Sequence, residues 1–194
     1  MVGLALRGRV VHPYWQRRFH SLGPRSAIYK PTVMGAHRIA IGEDVKIVEA
    51  MLSVLPMAWG RPDPAIRIGD RVGLALHCRI LAAESVVIED DVAIGAFSLV
   101  TDSDHKLDGP HENIALNPPQ AAPVLIGRGS GLGERVAILA GSTIGRYCVI
   151  GTNSVVRGTI PDYSIATGIP ARVVGRARAE GAGSTAPRIR EEGR

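Results

Sequence analysis

The chain has 194 residues and a formal net charge of +5, from 23 Lys and Arg against 18 Asp and Glu. That length suits one domain with its own core, and a hydrophobic fraction of 45% excludes wholesale disorder. Aromatic residues are only 4% while Gly and Pro number 23 and 13, so the core must be aliphatic and the backbone must turn often.

In chain order, residues 1–25 read as a basic N-terminal segment with a short helix over about Tyr14–Leu22. The stretch Val2–Val11 is cut by Arg7 and Arg9, which suits neither a membrane span nor a signal peptide. The first 42 residues carry seven basic residues and no acid, residues 43–171 carry ten basic and fifteen acidic, and residues 172–194 carry six Arg and three Glu. The net charge is therefore an average over an acidic body and two basic ends. No basic stripe interleaved with aromatics marks a nucleic-acid partner. Cys78 and Cys148 are too few for a disulfide framework and lack metal-type spacing, so a reducing, cytoplasmic setting is expected.

A six-residue repeat organises the chain from Ile28 onward. Ile28 and Val33 begin a first coil, and Ile41 and Ile47 continue it. After a Pro-rich break at Leu55–Ala65, which holds Trp59, the frame reads Ile68, Leu74, Ile80, slips by two, and resumes at Ile88, Ile94, Val100. A second break, 106–123, holds four prolines and no frame. The cleanest run follows: Ile126, Leu132, Ile138, Ile144, Ile150, Val156. The next residue is usually glycine, and the fourth place after each aliphatic is small (Ser130, Ser142, Cys148, Ser154). Neither a period of 3.6 nor simple alternation explains a sustained six. Three short strands separated by tight turns do, if each hexad forms one face of a triangular coil and coils stack about 4.8 Å apart. The expected fold is all-β, a parallel β-helix, with the adjacent glycine permitting the turn and a protruding loop at 106–123. Residues 177–194 lack apolar periodicity and read as a flexible tail.

Chemistry is expected where the repeat stops. In TDSDHKLDG, His105 is flanked by Asp102 and Asp104 at the edge of an 18-residue irregular loop, a length uncommon without function. Histidine titrates near neutrality and suits a general base, and a nearby carboxylate can fix its tautomer. His77, inside a coil, and His111, in the loop, are candidates to rim an acceptor pocket or are plain structural residues. The run GRGSGLG is no phosphate loop, since no Walker lysine follows and it lies within hexads.

The TDSDH block, Gln120 late in the loop, the hexads from Ile126 and the ending IPDYSIATGIPARVVG resemble the hexapeptide-repeat acyltransferases. The resemblance covers about 26–176 and is nearest the polysaccharide and lipopolysaccharide O-acetyltransferases and the maltose and galactoside acetyltransferases. It implies a left-handed β-helix, against the general right-handed preference of crossovers. It also implies acetyl-CoA as acyl donor, a sugar or glycan-precursor hydroxyl as acceptor, and no metal. In that reading His105 is the base with Asp102 or Asp104 in support, and no covalent acyl-enzyme forms. The N–H of Glu134, after Gly133, holds the oxyanion. Gly151 and Thr152 meet the pantetheine arm, and Arg172 and Arg176 the phosphates, in a groove between subunits of a homotrimer. Gly131 stands where many members carry an aromatic, which leaves the acceptor open. The alternatives are an N-acetyltransferase of amino or nucleotide sugars, a γ-class carbonic anhydrase holding zinc through His77, His105 and His111, and a scaffold without chemistry. The basic N-terminal segment invites weak association with an anionic membrane surface.

Overall fold

A computed structural model describes residues 14–58, 60 and 62–177. Residues 1–13, Trp59, Arg61 and 178–194 lie outside the described residues, and with them most of the basic N-terminal segment and the expected tail.

The described residues wind into stacked three-sided coils. The first face holds the strands Ser21–Leu22, Ile39–Ile41, Ile66–Ile68, Val86–Ile88, Val124–Ile126, Thr143–Ile144 and Thr159–Ile160. The second holds Ala27–Tyr29, Lys46–Val48, Gly73–Leu74, Ala93–Ile94, Gly131–Leu132, Val149–Ile150 and Ser164–Gly168, capped by Ala171–Arg176. The third holds Thr32–Met34, Met51–Val54, Arg79–Ala82, Leu99–Thr101, Ala137–Ile138 and Val155–Val156. This makes six complete coils and a seventh that ends after two faces. Pairing within each face is parallel, except for the antiparallel cap.

The hexad aliphatics form the interior. Ile68, Ile88, Ile126, Ile144 and Ile160 stand in register down the first face. Leu74, Ile94, Leu132 and Ile150 do so down the second, and Ile80, Val100, Ile138 and Val156 down the third. All are buried. Each such side chain contributes about 1.5–3 kcal/mol on leaving water, so the columns supply the main driving force. The small residues at the fourth place lie buried at the corners, where serines tie one coil to the next. Ser130 Oγ donates to the Gly145 carbonyl (2.8 Å) and accepts from the Cys148 N–H (3.0 Å). Ser98 Oγ does the same for the Gly133 carbonyl and the Val136 N–H.

Four expectations need correction. The glycine after each aliphatic does not make the turn. The left-handed backbone falls two residues later, on Arg71, His77, Asp91, Phe97, Arg135, Tyr147, Asn153 and Tyr163. The glycine instead permits close stacking: a Cβ on Gly95 would lie 2.5 Å from the Gly133 carbonyl carbon, and one on Gly127 2.6 Å from that of Gly145. Second, the stack begins at Ser21, paired with Ala40, and not at residue 26. Third, the described helical residues at the N-terminus are only 14–16. Phe19 is buried in the core with Trp15 stacked on it at 5.1 Å, and placing that ring under the first coil turns the chain into the first face. Fourth, the second break is not irregular throughout. Ser103–His105 pairs antiparallel with Pro119–Ala121, so a two-stranded ribbon leaves the third face, and its tip carries a 3-10 turn at Ile114–Leu116.

Candidate active site

His105 is the last residue of the outgoing ribbon strand and is exposed. Its Nδ1 lies 3.1 Å from the Asn117 carbonyl oxygen. A carbonyl only accepts, so this contact puts the proton on Nδ1 and leaves the Nε2 lone pair open, the arrangement of a general base. Asn117 itself is buried and holds the ribbon tip together. Its Oδ1 accepts from the His111 N–H (2.9 Å), and its Nδ2 donates to the carbonyls of Lys106 and His111 (3.0 Å each). Sequence reasoning missed this residue. The only signal was a lone Asn before two prolines in a loop otherwise without a frame.

Neither flanking carboxylate reaches the imidazole ring. Asp102 is fully buried and accepts three main-chain bonds of 2.7 Å each, from the N–H groups of Ala83, Glu84 and Ser85. Those residues make the extra-long corner where the hexad frame slips by two, so Asp102 staples the insertion and is not a partner of His105. Asp104 accepts from the main-chain N–H of His105 (2.8 Å), which occupies an oxygen away from the ring.

The groups expected to meet the acyl donor gather along the second corner, between the second and third faces. Gly133 and Glu134 occupy that corner in the fifth coil, and Gly151 and Thr152 in the sixth. They are in contact, since a Cβ on Gly133 would fall 2.6 Å from Thr152 Oγ1 and one on Gly151 2.7 Å from Thr167 Oγ1. Arg172 continues the column, paired in register with Thr167 on the capping strand. At the first corner the equivalent main-chain N–H groups are taken by carboxylates of the next coil: Glu43 by Asp70, Asp70 by Asp90, Arg146 by Asp162. At the second corner the N–H groups of Ala96, Glu134 and Thr152 make no hydrogen bond among the described residues.

Other candidates fall apart in space. Arg176 pairs with Ser164 at the far end of the capping strand, roughly 13 Å of strand from Arg172. His105 leaves the third corner while Glu134 sits on the second, at opposite ends of the third face, so one chain does not bring them together. His77 is exposed at the second corner with its ring 5.2 Å from that of Phe97. His111 is on the ribbon tip, and no group of three or more His, Cys, Asp or Glu positioned to hold a metal ion occurs among the described residues. Gly131 lies on the second face with nothing within 4 Å of a Cβ, so the space for a ring is open there. Cys78 and Cys148 are free and buried, and burial pushes both thiols above their usual range. No helix among the described residues is long and apolar enough to cross a membrane.

This geometry is that of a parallel β-helix with an ejected two-stranded ribbon. No family model matches the chain. Over 110 residues, 57% of the chain, it is 41% identical to the "Probable acetyltransferase Rv3034c" of Mycobacterium tuberculosis (strain ATCC 25618 / H37Rv). Over 124 residues, 60% of the chain, it is 35% identical to the "Putative lipopolysaccharide biosynthesis O-acetyl transferase WbbJ" of Escherichia coli (strain K12). The chain spans 37% and 62% of the lengths of these two relatives. In structure it is similar to AntD, an N-acyltransferase from Bacillus cereus, in complex with dTDP and 3-hydroxybutyryl-CoA, with a TM-score of 0.72 at 18% identity over 86% of this chain and 88% of that one. The hexapeptide-repeat acetyltransferase VCA0836 from Vibrio cholerae gives 0.64 at 21%, over 89% of this chain and 82% of that one. By repeat and fold the chain is similar to the hexapeptide-repeat acetyltransferases, and its β-helix is left-handed.

Proposed function

We propose that the chain is an acetyl-CoA-dependent O-acetyltransferase acting on a hydroxyl of a sugar or glycan precursor. The observation that carries the reading is the His105 ring, tethered at Nδ1 and open at Nε2 on an ejected ribbon. The similarity to acetyltransferases, one of them named for O-acetyl transfer in lipopolysaccharide biosynthesis, supports the reaction class.

In this reading the Nε2 of His105 takes the acceptor proton as the hydroxyl oxygen bonds to the thioester carbonyl carbon. The Glu134 N–H, which has no internal partner among the described residues, stabilises the negative charge developing on the carbonyl oxygen, an effect of about 3 kcal/mol for one preorganised donor. The C–S bond then breaks, and the imidazolium returns the proton to the departing sulfur. The unpaired main-chain groups beside Gly151 and Thr152 suit an amide-rich arm, and Arg172 suits a phosphate. Because His105 and Glu134 stand at different corners, the site is completed by a second copy, as a homotrimer provides, with the ribbon of one chain against the second corner of its neighbour. A cytoplasmic location belongs to the same reading.

The test is acetyl transfer from acetyl-CoA to a sugar panel by mass spectrometry. His105→Ala is expected to lower kcat by about 10²–10⁴. The product is expected to lose its acetyl group in mild alkali, as an ester does. An alkali-stable product identifies the N-acetyltransferase alternative, and equal activity of wild type and variant refutes the role of His105.

A further inference from the structure

The remaining edge of the prism carries a feature that the acyl-transfer reading does not use. Along the first corner of the last four coils lies an open cavity of about 600 Å³. Its floor is a ring pair: Tyr147 and Tyr163 stack at 5.3 Å with 19° between their planes. The Tyr147 ring lies directly over the Gly129 backbone, where a Cβ would come within 2.5 Å of the ring. Among the described residues no further ring covers Tyr163. Both tyrosines sit in the left-handed region, at φ 55° and 58°, where Asn or Gly is the less strained choice. The rings are thus held at some conformational cost.

Around the rings stand two guanidinium groups, Arg128 and Arg146, and three carboxylates, Glu89, Asp90 and Asp162. Several of these are already engaged. Asp90 is paired with Arg128, Glu89 Oε2 accepts from the Arg128 N–H (2.8 Å), and Asp162 Oδ1 accepts from the Arg146 N–H (2.8 Å). What remains is a mixed set. The Arg146 guanidinium makes no hydrogen bond or ion pair among the described residues, the second oxygens of Glu89 and Asp162 can accept, and the phenol hydroxyls can do either. A phosphate ligand would meet three carboxylates for one free guanidinium. An apolar ligand would leave these polar groups unpaired. A neutral ligand rich in hydroxyls, with an apolar ring face to lay on Tyr163, satisfies both requirements.

We infer that this corner is a saccharide-binding site, separate from the candidate active site and independent of the acyl-transfer reading. It would hold a neutral stretch of glycan along the edge of the prism, with the Tyr163 face as platform and Arg146, Glu89 and Asp162 bonding its hydroxyls.

The test is calorimetric titration of the full chain, without acetyl-CoA, with neutral hexasaccharides: maltohexaose, cellohexaose and mannohexaose. Tyr163→Asn removes the ring but suits a left-handed residue, and Arg146→Gln removes the free charge. Thermal melting checks that both variants fold. At least one hexasaccharide is expected to bind wild type and His105→Ala equally, and each corner variant to weaken that binding by roughly tenfold. The inference is overturned if none of the three binds, if binding survives both corner variants, or if His105→Ala abolishes it. That last result would move the sugar to the ribbon and leave the acyl-transfer reading intact.

Discussion

Asp102 separates two roles that the sequence alone left together. Removing its carboxylate orphans three N–H donors, each bonded at 2.7 Å. The Ala83 N–H is buried and stays dry, a loss of about 2 kcal/mol, while the Glu84 and Ser85 N–H groups are partly open and regain water, at about 1 kcal/mol each. Asp102→Ala should therefore cost about 4 kcal/mol, which lowers Tm by roughly 8–16 °C for a chain of this size. Asp102→Asn is the sharper probe. An amide can keep its oxygen toward the Glu84 and Ser85 N–H groups, but its NH₂ then faces the buried Ala83 N–H donor to donor, so about 2 kcal/mol of the loss should remain. Thermal melts of both variants measure this, and a pH–rate profile taken well below melting should match wild type. An Asn variant as stable as wild type, or a shifted pH–rate profile in either variant, refutes the staple and restores Asp102 as a partner of His105.

Asn117→Ala should leave the coils intact, with Tm nearly unchanged because the ribbon stands outside the core. It should lower kcat/KM about tenfold as the ribbon tip loosens its hold on His105. Steady-state kinetics beside a melt checks this. The same substitution should have opposite signs at two glycines. Gly73→Ala, with open space around its Cβ, should stabilise by about 0.5–1 kcal/mol. Gly95→Ala, pressed against the Gly133 backbone, should destabilise by about 1–3 kcal/mol. Denaturant unfolding of both resolves the sign. The ladder at the first corner sets an acid limit. The Asp70 N–H first, and Arg128 next, hold the Asp90 carboxyl below the usual range, while Arg71 does so for Asp91 and Arg25 for Asp44. A folded value below the unfolded value of about 3.9 means the stabilisation is full above that pH and is lost as pH falls through the lowered folded values. Asp90→Asn should flatten the acid limb of a Tm-against-pH curve below about pH 5, and an unchanged limb counts against the ladder.

The period of six made the interior legible, because every inward aliphatic must recur at the same place on each face. Ile68 to Val156 therefore fell where the spacing put them, and so did the buried serines at the corners. What a single period cannot encode is contact between coils. The glycines at 95 and 127 read as turn formers, yet their reason lies in the backbone of the next layer, 38 and 18 residues away in sequence. Asp102 looked like a companion of His105 from three residues away, but its bonding partners are the corner 17 to 19 residues earlier. Asn117 carries no pattern, and its role appears only once the ribbon closes on itself. The assembly of Tyr147, Tyr163 and Arg146 on one edge depends on stacking two successive turns of the coil, and local reading sees only scattered polar residues.

The strand Ala171–Arg176 runs against the direction of its neighbours. A solenoid of parallel strands exposes, at its open end, a row of unpaired donors and acceptors ready to template another solenoid, and repetition of that contact would give a fibre. By folding back antiparallel, the cap replaces that template on the second face with a strand of opposite polarity. The end of the second face thus offers an approaching copy no strand of matching direction, which disfavours end-to-end growth there.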